Sequence, residues 1–216
     1  MKLKVCGITS FEQLQNLDQL GVDFAGLIFY KNSKRFVGDK LNSRKSEIRN
    51  LKIKKVGVFV NAEIDTIKNE VKEYGLSYVQ LHGDESEEFC REVKNFVPVI
   101  KAIRIGEESD LEKDLKVFED ACDYLLFDTD SKQYGGSGKQ FNWDSLKQSN
   151  INKPFFLSGG IGLEDIDKVK TFRHPMLFAI DVNSRFESEP GIKDLGKVEQ
   201  FMNALNYGYE KSKSSS

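Results

Sequence analysis

Val56-Gly57-Val58-Phe59-Val60 carries no polar side chain, and it lies between Lys54-Lys55 and Asn61. A strand with one wet face alternates apolar and polar residues. An unbroken apolar run of this length marks a strand covered on both faces, as in a parallel sheet flanked by helices. Phe24-Ala25-Gly26-Leu27-Ile28-Phe29 has the same character. Comparable runs end near Cys6, Phe29, Val60, Leu81, Ile103, Asp128, Ser158 and Val182, at intervals of roughly 25 residues.

Amphipathic stretches fill the gaps. Ser10 precedes Phe11, Leu14, Leu17 and Leu20, which share one helix face, and Gly21 follows as a stop. Ala62 to Tyr74 repeats the pattern with Ile64, Ile67, Val71 and Tyr74 before Gly75. The acidic run Asp84-Glu85-Ser86-Glu87-Glu88 reads as the start of the fourth helix, where the helix dipole favours negative charge. Strand and helix alternating eight times predict an α/β protein, a single-domain (β/α)8 TIM barrel over residues 1–207. The serine- and lysine-rich stretch 208–216 reads as a disordered, frayed C-terminal tail. An open doubly wound sheet would need a glycine-rich nucleotide loop after its first strand. Gly7-Ile8-Thr9-Ser10 has a single glycine, so the barrel is favoured.

Across 216 residues, 32 basic side chains face 34 acidic ones, and this balance disfavours nucleic acid, which requires clustered positive charge. No apolar run approaches the ~20 residues of a membrane helix. Met1-Lys2-Leu3-Lys4 leads into a strand without a signal-peptide pattern. Cys6, Cys90 and Cys122 are far apart and outside any CxxC spacing, which suits a reducing compartment; the expectation is a cytoplasmic protein.

In a barrel the carboxyl ends of all the strands open on one face. Cys6 ends the first apolar run, where a thiol is either a buried strand terminus or a base. Asp128 ends the sixth. Desolvation of a carboxyl there favours its protonated form and work as a general acid; a helix cap or an ion pair with Lys or Arg is the equal alternative. Ser158-Gly159-Gly160-Ile161-Gly162 follows the seventh run and precedes a helix starting near Leu163, and Asp181-Val182-Asn183-Ser184 closes the eighth. Backbone N–H groups of such glycine turns approach anions closely, and barrels bind phosphate with their last two loops, so a small phosphorylated substrate is expected. Arg35, in Lys31-Asn32-Ser33-Lys34-Arg35, offers a fork for a second anion, a carboxylate. Tyr134-Gly135-Gly136-Ser137-Gly138-Lys139 fails as a P-loop because Gln133 and Gln140 stand where Gly and Ser or Thr are needed; it reads as a loop closing over substrate or a plain connector. His82 and His174 belong to different units, and no metal site is expected.

Taken in order, KVCGIT, FYKNSKRF, VGVFVN, VQLHGDE, LLFDT, YGGSGKQFNW, LSGGI and DVNSRFESEPGIKD resemble the phosphoribosylanthranilate isomerase family over nearly the whole chain. The resemblance implies an Amadori rearrangement in tryptophan biosynthesis, with no metal or coenzyme. It implies Cys6 as general base and Asp128 as general acid, and it sets Arg35 against the anthranilate carboxylate. Gly159, Gly160 and Ser184 fall at the phosphate turns, and Asp181 at a polar pocket position. A monomer or homodimer is expected. Lys31 stands where the family usually has proline, and Arg185 where many members have glycine. The rivals are a histidine-pathway aminoaldose isomerase, whose first strand ends in Asp rather than Cys6, and a non-catalytic sugar-phosphate-binding barrel, which needs no acid–base pair.

Overall fold

The computed structural model describes residues 1–106, 110–129 and 140–213. Strand and helix alternate as the apolar runs require: β1 (Lys2–Cys6), α1 (Phe11–Gln19), β2 (Phe24–Ile28), α2 (Lys45–Asn50), β3 (Lys54–Phe59) and α3 (Ile64–Tyr74). There follow β4 (Tyr78–Leu81), α4 (Glu87–Lys94), β5 (Val99–Ile105), α5 (Leu111–Phe118), β6 (Tyr124–Thr129), α6 (Asp144–Gln148), β7 (Phe155–Leu157), α7 (Ile166–Thr171) and β8 (Leu177–Val182). The eight parallel strands close in sequence order into one barrel, with Lys4 of β1 in register with Asp181 of β8 at the seam. A small hairpin, β9 (Glu187–Glu189) and β10 (Ile192–Lys193), follows; nothing in the apolar pattern announces it. The final helix α8 (Leu195–Lys213) carries helical backbone beyond residue 207.

Side chains alternate across each strand, so every strand serves two cores. On β1, Leu3 and Val5 join the large apolar cluster beneath the helices, while Lys4 and Cys6 face the barrel interior. The interior is packed. Its floor is an aromatic cluster in which Phe24 meets Tyr78 at 5.6 Å and Phe156 at 5.5 Å, both edge to face, and Tyr124 meets Phe178 at 4.8 Å. Above it lies the ion pair of Lys4 Nζ and Asp181 Oδ1, 2.8 Å apart and almost wholly buried. The mouth lies above that.

One local expectation is corrected. The acidic run does not all belong to the start of α4, which begins at Glu87 with the Ser86 hydroxyl accepting from Phe89 N–H. Glu85 instead turns inward. It accepts from Asn61 N–H at 2.9 Å and from Gly83 N–H, and it pairs with Lys101 at 2.8 Å with both side chains 3% exposed. A buried lysine reaching up from β5 needs a carboxylate partner, and that demand outweighs the weak pull of a helix end.

Gly26 on β2 shows how tightly the mouth is built. A Cβ there would lie 2.6 Å from Cys6 Sγ and 2.9 Å from Cys6 Cα, and the second of these is backbone that cannot swing away. Gly26→Ala is therefore expected to lower unfolding free energy by about 1–3 kcal/mol. Urea titration with the midpoint unchanged would contradict this close approach.

Candidate active site

A cavity opens at the carboxyl ends of the strands. Cys6, Arg35, Asp128, Gly159, Gly160, Asp181 and Ser184 all line it, together with Gln80, His82 and Asn183. They arrive from six strand ends or the loops that follow them, those of β1, β2, β4, β6, β7 and β8, as closure of the barrel allows.

Cys6 forms one wall. Burial pushes its thiol up, Lys4 pulls it down, Asp181 pushes it up and Lys193 pulls it down; burial outweighs the two ammonium groups. Asp181, expected as a polar pocket position, has both oxygens engaged: Oδ1 takes Lys4 and Oδ2 accepts from the Ser158 hydroxyl at 3.1 Å. Its carboxylate anchors the seam beneath Cys6.

Asp128 comes from β6, three strands around the barrel from β1. Neither a helix cap nor a lysine or arginine pair is its setting among the described residues. Its Oδ1 accepts from Thr129 N–H at 2.8 Å, and its Oδ2 lies 3.5 Å from His82 Nε2. The sequence reading considered His82 only as a metal ligand, because its distance from Asp128 appears only on folding.

The glycine turn after β7 adopts left-handed backbone, with φ of 94° at Gly159 and 63° at Gly160. A Cβ on Gly159 would lie 2.5 Å from Thr129 Oγ1 and 3.0 Å from Thr129 N, so glycine is required for the turn to sit against β6. Gln140 Nε2 donates to Gly160 O at 3.2 Å and to Asp165 Oδ2 at 2.6 Å, bracing the loop. The helical turn expected at Leu163 is a single 3-10 turn ahead of α7, and Asp165 Oδ2 accepts from Gly162 N–H. That donor is spoken for, and it is Gly159, Gly160 and Ser184 rather than Gly162 that line the cavity. Arg185, at the departure position in the eighth loop, pairs with Glu164 at the rim.

Arg35 reaches the cavity from the loop after β2. Glu187 of the β9–β10 hairpin grips it, accepting from Nε at 2.8 Å and from Nη2 at 2.7 Å. Lys193 Nζ donates to the same carboxylate at 2.6 Å and to Asn183 Oδ1 at 2.8 Å. Burial raises the Glu187 carboxyl, but Arg35 and Lys193 prevail and hold it below the usual range. The sequence offered no sign of this partner, which lies 152 residues away. The loop itself is closed on β2, with Val37 N–H donating to Ile28 O at 2.9 Å, while Lys31 and Lys34 are exposed. The Tyr134–Lys139 stretch, read as a closing loop, lies outside the described residues. Among the described residues no three His, Cys, Asp or Glu side chains converge as a metal ligand set, and no helix is long and apolar enough to cross a membrane.

The family described as N-(5'-phosphoribosyl)anthranilate (PRA) isomerase matches this chain over residues 3–204. The chain belongs to that family. A Parabacteroides distasonis N-(5'-phosphoribosyl)anthranilate isomerase is 42% identical over 207 residues, covering 95% of this chain and 93% of the relative. The phosphoribosyl anthranilate isomerase structure from Thermotoga maritima superposes with a TM-score of 0.83 at 34% identity, covering 95% of this chain and 98% of that one. A further structure of such an isomerase, in complex with reduced 1-(o-carboxyphenylamino)-1-deoxyribulose 5-phosphate, matches at TM-score 0.79 and 31% identity over 95% of this chain and 98% of that one.

The thiol's surroundings set its reactivity. Cys6 lines the cavity, whereas Cys90 and Cys122 are wholly buried outside it and pushed up to about 11 and about 12 by burial. Iodoacetamide should label Cys6 first, with a midpoint above the ordinary thiol value of about 8.5. Asp181→Asn, which removes a negative charge beside the thiol, should move that midpoint down. Labelling at the rate of a free thiol across pH 7–9 would contradict the dominance of burial.

Proposed function

We propose that this chain converts N-(5'-phosphoribosyl)anthranilate to 1-(2-carboxyphenylamino)-1-deoxyribulose 5-phosphate in tryptophan biosynthesis, with Asp128 as general acid and Cys6 as general base. The carrying observation is one cavity in which a thiol on β1 and a carboxyl on β6 share the mouth with a guanidinium and a glycine turn. Such a cavity fits a ligand with a reacting sugar between a carboxylate and a phosphate.

Asp128 gives its proton to the furanose ring oxygen. The C1–O bond breaks as the amine lone pair closes on C1, leaving an open-chain Schiff base. Cys6, as thiolate, takes the proton from C2, and the electron pair moves toward nitrogen to give an enolamine that ketonises. An unperturbed thiol is only a few per cent ionised at neutral pH, so the buried Lys4 and Lys193 ammonium groups matter: both favour the thiolate. Gly159, Gly160 and Ser184 hold the phosphate in this reading, and Arg35 faces the anthranilate carboxylate. Asp181 acts from beneath, through Lys4 and Ser158. Three free buried cysteines accord with a cytoplasmic setting, and a monomer or homodimer is expected. One solved relative, 32% identical, is described as mutually generated monomers of the dimeric Thermotoga maritima isomerase.

Loss of the substrate's anthranilate fluorescence reports turnover. Cys6→Ala and Asp128→Asn are each expected to lower kcat by about 10²–10⁴-fold, with product-analogue affinity held within about tenfold. Wild-type protein that binds the product analogue but consumes no substrate would overturn the isomerase reading. Arg35→Ala should act chiefly on KM; lost kcat with KM unchanged would reassign Arg35. The kcat/KM profile should be bell-shaped, and a flat profile from pH 5 to 9 speaks against the acid–base pair.

A further inference from the structure

We propose that His82 is a positioning residue for Asp128, and that Gln80 selects the ring tautomer in which His82 presents its Nε2–H to the acid. The proposal rests on the reading of Asp128 as general acid.

Gln80 lies on β4 and His82 follows it by two residues, so both side chains project on the cavity side, and both line the cavity. Gln80 Nε2 stands 2.7 Å from His82 Nδ1. An amide NH₂ has only protons to offer, so Nδ1 accepts and the proton of the neutral ring resides on Nε2. The opposite amide orientation would bring Gln80 Oε1 to the ring and demand a proton on Nδ1. In that orientation the site now occupied by Oε1, which is buried without a partner, would hold an NH₂ with two unmet protons. An under-satisfied carbonyl is the more tolerable of the two.

His82 Nε2 lies 3.5 Å from Asp128 Oδ2. The other oxygen is already fixed, because Oδ1 accepts from Thr129 N–H of the same strand. The two oxygens of the acid are thus distinguished. Oδ2 is the one that faces a side-chain donor, and it is the one that gives up its proton in the rearrangement. At rest the contact is long. As the proton leaves for the ring oxygen, negative charge gathers on Oδ2 and the contact shortens into a charge-assisted hydrogen bond. The interaction is therefore stronger in the transition state than before it, and its loss falls on kcat. Gln80 is buried, at 1% exposure.

The chain has two histidines, so a ¹⁵N-labelled sample with a His174→Gln control assigns the ring signals without ambiguity. Long-range ¹H–¹⁵N correlation of the resting enzyme should show Nε2 protonated and Nδ1 bare, and Gln80→Leu should allow proton to appear on Nδ1. His82→Phe is expected to lower kcat about tenfold or more, with KM within about threefold. His82→Gln, whose amide reaches the Nε2 position, should restore much of the loss. In an Asp128→Asn background, His82→Phe should cost little further, because its target is gone. A proton on Nδ1 in the wild type, or His82→Phe turning over at the wild-type rate, overturns the proposal. So does an equal His82→Phe loss in both backgrounds. Full turnover by Asp128→Asn alone would instead overturn the reading of Asp128, whatever tautomer the ring shows, and the role of His82 with it.

Discussion

The Lys4–Asp181 ion pair lies where the sheet closes on itself, bridging β1 and β8 inside the barrel at 2.8 Å. Two charges taken out of water cost more than their attraction returns unless every remaining lone pair finds a donor. Asp181 meets that demand through the Ser158 hydroxyl at the head of the glycine turn. One carboxylate thus joins three things: the register of the closing strands, the start of the Gly159–Gly160 loop, and the field at Cys6, two residues above Lys4. Removing one partner would strand a buried charge, at a cost of about 3–5 kcal/mol. The seam is specific because its error is expensive.

The interior is consequently tiered. Aromatic rings fill the narrow floor, where packing without polar atoms is cheapest. A buried ion pair, Lys4 with Asp181, occupies the middle. The cavity sits above it.

Closure, element order and the residues of the mouth were legible in the sequence because each depends on local information. An apolar run is a strand covered on both faces, and its last residue stands at the carboxyl end whatever the rest of the chain does. The partners were not legible. Glu187 lies 152 residues from Arg35, Asp181 lies 177 from Lys4, and His82 gives no sequence sign of facing Asp128. Glu85 was misread for a related reason: an acidic run before a helix has a sufficient local explanation, and only the arrival of Lys101 from β5 supplies a better one. Strand-end chemistry can be read from one dimension. What holds each group in place follows from closure in three.

Arg35 illustrates what that means for binding. Glu187 takes only the Nε and Nη2 edge of the Arg35 fork. Glu187 is also shared with Lys193, so this cluster sets two cations against one anion and keeps one positive charge in surplus. The surplus is not free to wander, since Lys193 is tied to Asn183 and Arg35 to the hairpin. Lys4 and Asp181 cancel nearby. A carboxylate entering the cavity therefore meets a fixed positive charge whose side chain has already been ordered. Little further entropy is lost on binding, and the excess charge that attracts the ligand also favours the Cys6 thiolate.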